Sequence, residues 1–198
     1  MLPAEKPVEN LSLEARLAEF LGVLGTIQIT DASGALQPID QAMDRLLLLL
    51  KHLRANGRSL FVIGNGGSDA VASHAVTDFI NVGKLRATTL HDTSILTCMT
   101  NDYGYEFAFS RILSTFAHPG DMLIAISSSG QSQNIRNAAT AMKQCRGTII
   151  TLSGFASDNP LRALGDFNVW LKSRDYGFVE IGHQFVLHNL ADRLRLGL

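Results

Sequence analysis

Residues 121–132 read Asp-Met-Leu-Ile-Ala-Ile-Ser-Ser-Ser-Gly-Gln-Ser. The apolar run is continuous rather than alternating, so the spacing predicts a strand over Asp121–Ser127 buried on both faces. Strands of that kind belong to parallel sheets covered by helices on both sides. The run breaks into Ser127, Ser128, Ser129 and Ser132 around one glycine, and a helical pattern over Gln131–Gln144 follows. A helix N-cap needs only one serine. Four favour an anion site, where hydroxyls and backbone N–H groups at a helix start meet a phosphate. No Lys or Arg lies inside the loop. Neutral donors suit a small sugar phosphate better than a triphosphate with its metal.

Upstream, the same plan recurs. Ser59–Ile63 reads as a buried strand and runs into Gly64-Asn65-Gly66-Gly67-Ser68, then a helix over Ser68–Val82. No Lys follows at Walker spacing, and Asp69 stands where the dinucleotide fingerprint needs its third glycine. Taken alone, the turn fits a tight structural bend as well as a ligand loop. Further strands are expected at Ala87–Leu90, Thr148–Leu152 and Asp166–Leu171, with helices over Tyr105–Phe116 and Val179–Leu196. Alternation of strand and helix gives an α/β fold: a three-layer, flavodoxin-like sandwich with a five-stranded parallel sheet flanked by helices.

Two helices precede it, over Leu11–Leu24 and Pro38–Ala55, forming an N-terminal helical hairpin across the turn-rich Thr30–Gly34. Asn10 or Ser12 can cap the first. Its Leu13, Leu17, Phe20, Leu21 and Leu24 form a 3.6-residue stripe. The second carries Met43, Leu46, Leu47, Leu49, Leu50 and Leu53 around more than one face, as expected for an oligomer interface or for packing on two sides within its own chain. The chain thus divides into a helical oligomerisation segment, 1–56, and an α/β unit, 57–198, within one structural domain.

The 198 residues carry 17 basic and 18 acidic side chains, which argues against a nucleic-acid partner. Charged residues are 18% of the chain, fewer than the usual quarter, consistent with surface buried between subunits. The longest apolar run, Leu46–Leu50, cannot span a bilayer. The opening MLPAEKPVEN lacks the apolar core of a signal peptide, and Cys98 and Cys145 form neither a disulfide framework nor a CxxC site. A cytoplasmic location without membrane contact is expected.

His74 and Asp78 lie four apart on one helix, Glu180 and His188 eight apart on another with Gln184 between them. Each pair projects from one face, and together they could enclose a tetrahedral Zn²⁺ or another divalent ion. Solvated helix faces produce the same spacing. His183 falls off that face and reads as packing or a subunit contact.

FVIGNGGSDAVASHAVTDF (61–79), Thr100-Asn101-Asp102, GDMLIAISSSGQSQNI (120–135), TIITLSG (148–154) and VEIGHQFVLHNL (179–190) together resemble the sugar isomerase (SIS) domain family, and within it the phosphoheptose isomerases. The resemblance implies a homotetramer with active sites completed by neighbouring subunits. It implies phosphate binding at Ser127, Ser128, Ser129 and Ser132, and sugar binding at Asn65, Gly66, Gly67 and Ser68. Asn101 and Asp102 match a pair that lines the family's pocket. It also implies aldose–ketose isomerisation of sedoheptulose 7-phosphate through an enediol, with Asp78 as base, Glu180 as alternative base, His188 as acid, and zinc held by His74, Asp78, Glu180 and His188. The chain departs from the family at four places: Asp78 replaces Glu, Glu180 replaces Gln, Val82 replaces Arg, and Gly177 replaces Asp. Lys84 or Arg86 is the nearby substitute for the missing arginine. The alternative is a non-catalytic SIS module that binds a sugar phosphate or a replication-initiator protein. A ligand-sensing transcriptional role would need a DNA-binding segment, which the sequence lacks.

Overall fold

In the computed structural model, which describes residues 11–197, the serine-tipped strand lies inside a seven-stranded sheet. The strands are β1 (Gln28–Asp31), β2 (Leu36–Gln37), β3 (Ser59–Ile63), β4 (Arg86–Thr88), β5 (Met122–Ser127), β6 (Thr148–Ser153) and β7 (Phe167–Trp170). Their order is β2-β1-β7-β6-β5-β3-β4. The five expected strands, β3 to β7, pair in parallel. The sequence reading missed β1 and β2, an antiparallel hairpin that extends the sheet beyond β7. The turn-rich Thr30–Gly34 is the bend of that hairpin, which separates the two N-terminal helices, so they do not follow one another as a simple helical hairpin.

The helices are α1 (Leu13–Leu24), α2 (Ile39–Ala55), α3 (Gly67–Asn81), α4 (Thr93–Tyr103), α5 (Ala108–Phe116), α6 (Gln133–Gln144) and α7 (Tyr176–Leu196). Alternate strand residues feed two apolar layers. Leu60, Val62, Ile124 and Ile126 pack with α2, α3 and α7; Phe61, Ile63, Leu123 and Ala125 pack with α5 and α6. This gives the expected three layers. Helix α4 was not foreseen. None of its residues is fully buried, and only Leu96 and Met99 pack on the core, too short a stripe to show in sequence.

The N-terminal helices divide differently from expectation. Met43, Leu46, Leu47, Leu50 and Leu53 of α2 are buried within their own chain, so most of its apolar surface packs internally, while Ile39 and Leu48 stay exposed. The open stripe is on α1, capped by Ser12 through a 3.3 Å hydrogen bond from Ala15 N. Leu13, Leu17 and Leu21 are 75, 54 and 68% exposed. Asn10 and the MLPAEKPVEN segment lie outside the described residues.

Chain direction reverses between β3 and β5: from β3 the chain moves outward to β4, then returns to β5 on the other side. Ligands bind at such a switch point, beyond the carboxyl ends of the strands. Both Gly/Ser turns leave from those two strand ends. The close turn after β3 depends on Gly64, because a Cβ there would lie 2.4 Å from the Ser68 backbone.

Candidate active site

A cavity of about 400 Å³ opens at the switch point. Asn65, Gly66, Gly67 and Ser68 form one wall, and Ser127, Ser128, Ser129 and Ser132 the other. Tyr176 and Glu180 of α7 close the third side. No basic side chain lines it. Ser127 Oγ donates to Ser132 Oγ at 3.1 Å, and Ser129 Oγ accepts from Gln131 N at 3.2 Å. Ser128 Oγ is buried and has no hydrogen-bond partner. A buried hydroxyl without a partner is costly, and in a cavity wall it marks a donor waiting for a ligand.

The two loops are tied together by residues that motif reading missed. Asn65 and Asn134 exchange amide hydrogen bonds: Asn134 Nδ2 donates to Asn65 Oδ1 at 2.9 Å, and Asn65 Nδ2 to Asn134 Oδ1 at 3.0 Å. Tyr105 OH also donates to Asn65 Oδ1, at 2.7 Å. Asn65 Oδ1 is thereby saturated, leaving one N–H of that amide for a ligand. Asn134, polar yet almost fully buried two residues after the serine loop, is the kind of signal that could have been found: buried polar side chains are built into networks.

Helices α3 and α7 run side by side from this cavity down one face of the sheet. Gly67 permits the contact at the top, since a Cβ there would lie 2.2 Å from Glu180 Oε2. Burial raises the Glu180 carboxyl above its ordinary range. Farther down, His74, Asp78 and His188 come together, with one potential ligand atom from each lying within 4.8 Å of the others. Asp78 Oδ2 is 2.9 Å from His188 Nδ1 and 3.6 Å from His74 Nε2. Neither approach has hydrogen-bond geometry, and Asp78 Oδ2 is a buried atom without a hydrogen-bond partner. The two imidazoles meet edge to face, centroids 4.8 Å apart. Nitrogen and oxygen atoms crowded together without hydrogen bonds fit a shared cation.

Several expectations do not assemble here. Glu180 does not join the His74–Asp78–His188 group; its carboxylate packs against Gly67 in the cavity wall, two helical turns above His188. Asn101 and Asp102 are exposed on α4, bonded to each other at 2.9 Å, and are absent from the cavity wall. Neither Lys84 nor Arg86 replaces the missing arginine. Both lie at the opposite end of the sheet, where Arg86 pairs with Ser59 and donates to Gly57 O at 2.9 Å. Val82 packs on the apolar core. Gly177 stands beside Asp175, whose carboxylate is held by Arg16 and by the Phe178 N–H. His183 is fully buried in its own chain and donates from Nε2 to Ser153 O at 3.1 Å, so it is a packing residue and not a subunit contact.

Residues 32–154 match the SIS domain family. The chain belongs to that family. Within it, this SIS protein is 35% identical over 167 residues to the phosphoheptose isomerase of Trichlorobacter lovleyi, covering 81% of this chain and 83% of that one. It is also 35% identical over 160 residues to the phosphoheptose isomerase of Helicobacter hepaticus, covering 78% and 79%. The structure of phosphoheptose isomerase from Neisseria gonorrhoeae superposes with a TM-score of 0.79 at 26% identity, over 91% of this chain and 96% of that one. Among the described residues of this SIS chain, no helix is long and apolar enough to cross a membrane.

Proposed function

We propose that this SIS protein is a phosphosugar aldose–ketose isomerase that interconverts sedoheptulose 7-phosphate and an aldoheptose 7-phosphate. The observation that supports the reading is a serine-lined cavity at the start of α3 with the His74–Asp78–His188 group farther along the same helix; the Ser128 hydroxyl and Asp78 Oδ2 lack hydrogen-bond partners. Seven residues of α3 separate Gly67 from His74, a drop of about 10 Å along the helix. An extended seven-carbon sugar with a terminal phosphate spans such a length; a triose does not.

The serines and the Gly66–Ser68 turn hold the phosphate end by hydroxyl and backbone donors. At the other end Asp78 Oδ2 takes the proton from the carbon next to the carbonyl. His188, 2.9 Å away, protonates the carbonyl oxygen to give the enediol; Asp78 then delivers its proton to the former carbonyl carbon while His188 takes one back from the neighbouring hydroxyl. Their closeness lets one proton pass between the two groups. His74, Asp78 and His188 are the residues that would hold a divalent ion such as zinc, and that ion supplies polarisation of the carbonyl. Glu180, in the cavity wall, faces the substrate's body rather than its reacting carbons.

The exposed Leu13, Leu17 and Leu21 stripe supports assembly through the N-terminal segment, which the family resemblance makes a homotetramer; a cytoplasmic location belongs to the same reading. A non-catalytic sugar-phosphate module is the second reading. It is favoured by Asp78, one methylene shorter than the family's Glu, because displacements on the order of 1 Å can cost about 100-fold in rate. The deciding experiment measures bound metal and turnover of sedoheptulose 7-phosphate by the purified protein. Turnover supports the isomerase. Phosphate-sugar binding with no turnover of any heptose or hexose phosphate supports the module.

A further inference from the structure

One backbone outlier stands beside the cavity. Among the described residues, only Lys84, Arg146 and Phe155 have positive φ without being glycine. Lys84 and Arg146 sit just past the ends of α3 and α6, where left-handed residues commonly close a helix. Phe155, at φ +55°, instead follows strand β6. A bulky aromatic in that conformation is strained, and such strain persists only where the surroundings fix it, most often at functional sites.

Here the surroundings tie two walls of the cavity together. Gly154 N donates to Ser128 O at 2.9 Å, and Phe155 N donates to Ser173 O at 2.8 Å. The two residues thus bridge the serine loop and the turn that leads into α7. Gly154 also lies flush on α7, since a Cβ there would lie 2.7 Å from Val179 Cγ2. From this pinned position the Phe155 ring meets Tyr176 edge to face, centroids 4.9 Å apart at 76°. Tyr176 is half-buried and lines the cavity. Its hydroxyl bonds to nothing among the described residues, and unlike that of Ser128 it is not shut off from solvent.

Tyr176 and Glu180 are four apart on α7 and share one flank. That wall carries a carboxyl and no cation, so an anion goes to the serines and the uncharged body of the ligand meets α7. A phenol suits a sugar body: the ring covers C–H groups, and the hydroxyl exchanges a hydrogen bond with a sugar hydroxyl.

We propose that Tyr176 is a specificity-determining residue that binds the sugar body of the ketose phosphate, and that Phe155 is its positioning residue. The inference rests on the isomerase reading above. The left-handed turn at Phe155 sets how far Tyr176 stands from the serines, and so which sugar fits between them. The serines select only the phosphate.

Titration calorimetry with sedoheptulose 7-phosphate and, separately, with inorganic phosphate tests this on the wild type, Tyr176→Ala, Phe155→Gly, Phe155→Tyr and the Phe155→Gly/Tyr176→Ala double variant. Tyr176→Ala should bind the sugar phosphate at least about tenfold more weakly, the scale of one neutral hydrogen bond. Phe155→Gly suits the positive φ but lacks the ring, and should lose about threefold or more, the scale of one edge-to-face ring pair. Phe155→Tyr keeps the ring and should bind as the wild type does. The double variant should bind no more weakly than Tyr176→Ala, because Phe155 acts only through Tyr176. Inorganic phosphate should bind all of them alike, which also reports that the variants fold. Unchanged sugar-phosphate affinity in Tyr176→Ala, or losses that add in the double variant, would overturn the inference while leaving the isomerase reading intact. Equal loss of both ligands in Phe155→Gly would overturn it in favour of a purely structural role. A wild type that binds inorganic phosphate but not the sugar phosphate would remove the isomerase reading, and this inference with it.

Discussion

His188 Nδ1 lies 2.9 Å from Asp78 Oδ2, a buried atom that has no hydrogen-bond partner. Two groups from different helices, α3 and α7, are thus held at proton-transfer distance without being locked together. Replacing His188 by Ala removes the acid and one of three potential metal ligands. General acid–base groups contribute about 10²–10⁴-fold. The His188→Ala protein should therefore lose at least about 100-fold in kcat on sedoheptulose 7-phosphate and hold metal more weakly. Turnover unchanged by this substitution would remove His188 from the chemistry.

Ser128→Ala should move stability and binding in opposite directions. The hydroxyl is buried without a partner, so deleting it removes a desolvated polar group from the unliganded protein. The melting temperature should stay level or rise. Affinity for inorganic phosphate should fall about tenfold, the scale of one lost hydrogen bond. A fall in melting temperature with phosphate affinity intact would show that the hydroxyl serves the fold instead.

Glu180 brings a carboxyl into a cavity that has no basic lining residue. Burial raises its pKa, so it keeps its proton to higher pH than an exposed Glu. Protonated, it tolerates a bound phosphate; ionised, it repels one. Wild-type phosphate affinity should therefore drop relative to Glu180→Gln as pH rises from 5 to 8. The two proteins should converge at the acidic end. Calorimetry at several pH values measures this, and parallel curves would show that the carboxyl does not sense the anion.

His183 makes stability pH-dependent. Burial, only partly offset by the hydrogen bond to Ser153 O, lowers its pKa to about 4. In the unfolded chain the ring titrates near 6.5. Between those values the unfolded state binds a proton that the native ring refuses. Its contribution is thus full above about pH 6.5 and is lost as pH falls toward about 4. Urea unfolding at pH 7 and pH 5 should show a loss for the wild type that His183→Gln reduces. An equal loss in both would place the effect elsewhere.

Most of the sheet was legible because its strands are continuous apolar runs, and five of them fell close to their expected places. The hairpin β1–β2 was not, since Gln28–Asp31 and Leu36–Gln37 are short, and a two-residue strand has no periodicity to read. Helix α4 escaped because only Leu96 and Met99, both partly buried, pack on the core. The apolar excess of α2 suggested a partner, yet most of its leucines meet the core of the same chain and only Leu48 stays open; the longer open stripe is on α1.

By itself the sequence determined the alternation of elements, the two Gly/Ser turns and the helix faces that carry His74, Asp78 and His188. Those depend on local spacing along the chain. Only the tertiary structure decided which faces meet. Pressed against Gly67, the Glu180 carboxylate belongs to the cavity wall rather than to the histidines. Asn101 and Asp102 stay on an unburied helix away from that cavity, and Asn134 emerges as the clasp between the two loops. Distances between side chains on different elements depend on how α3, α6 and α7 pack across the sheet, and no spacing within one helix contains that information.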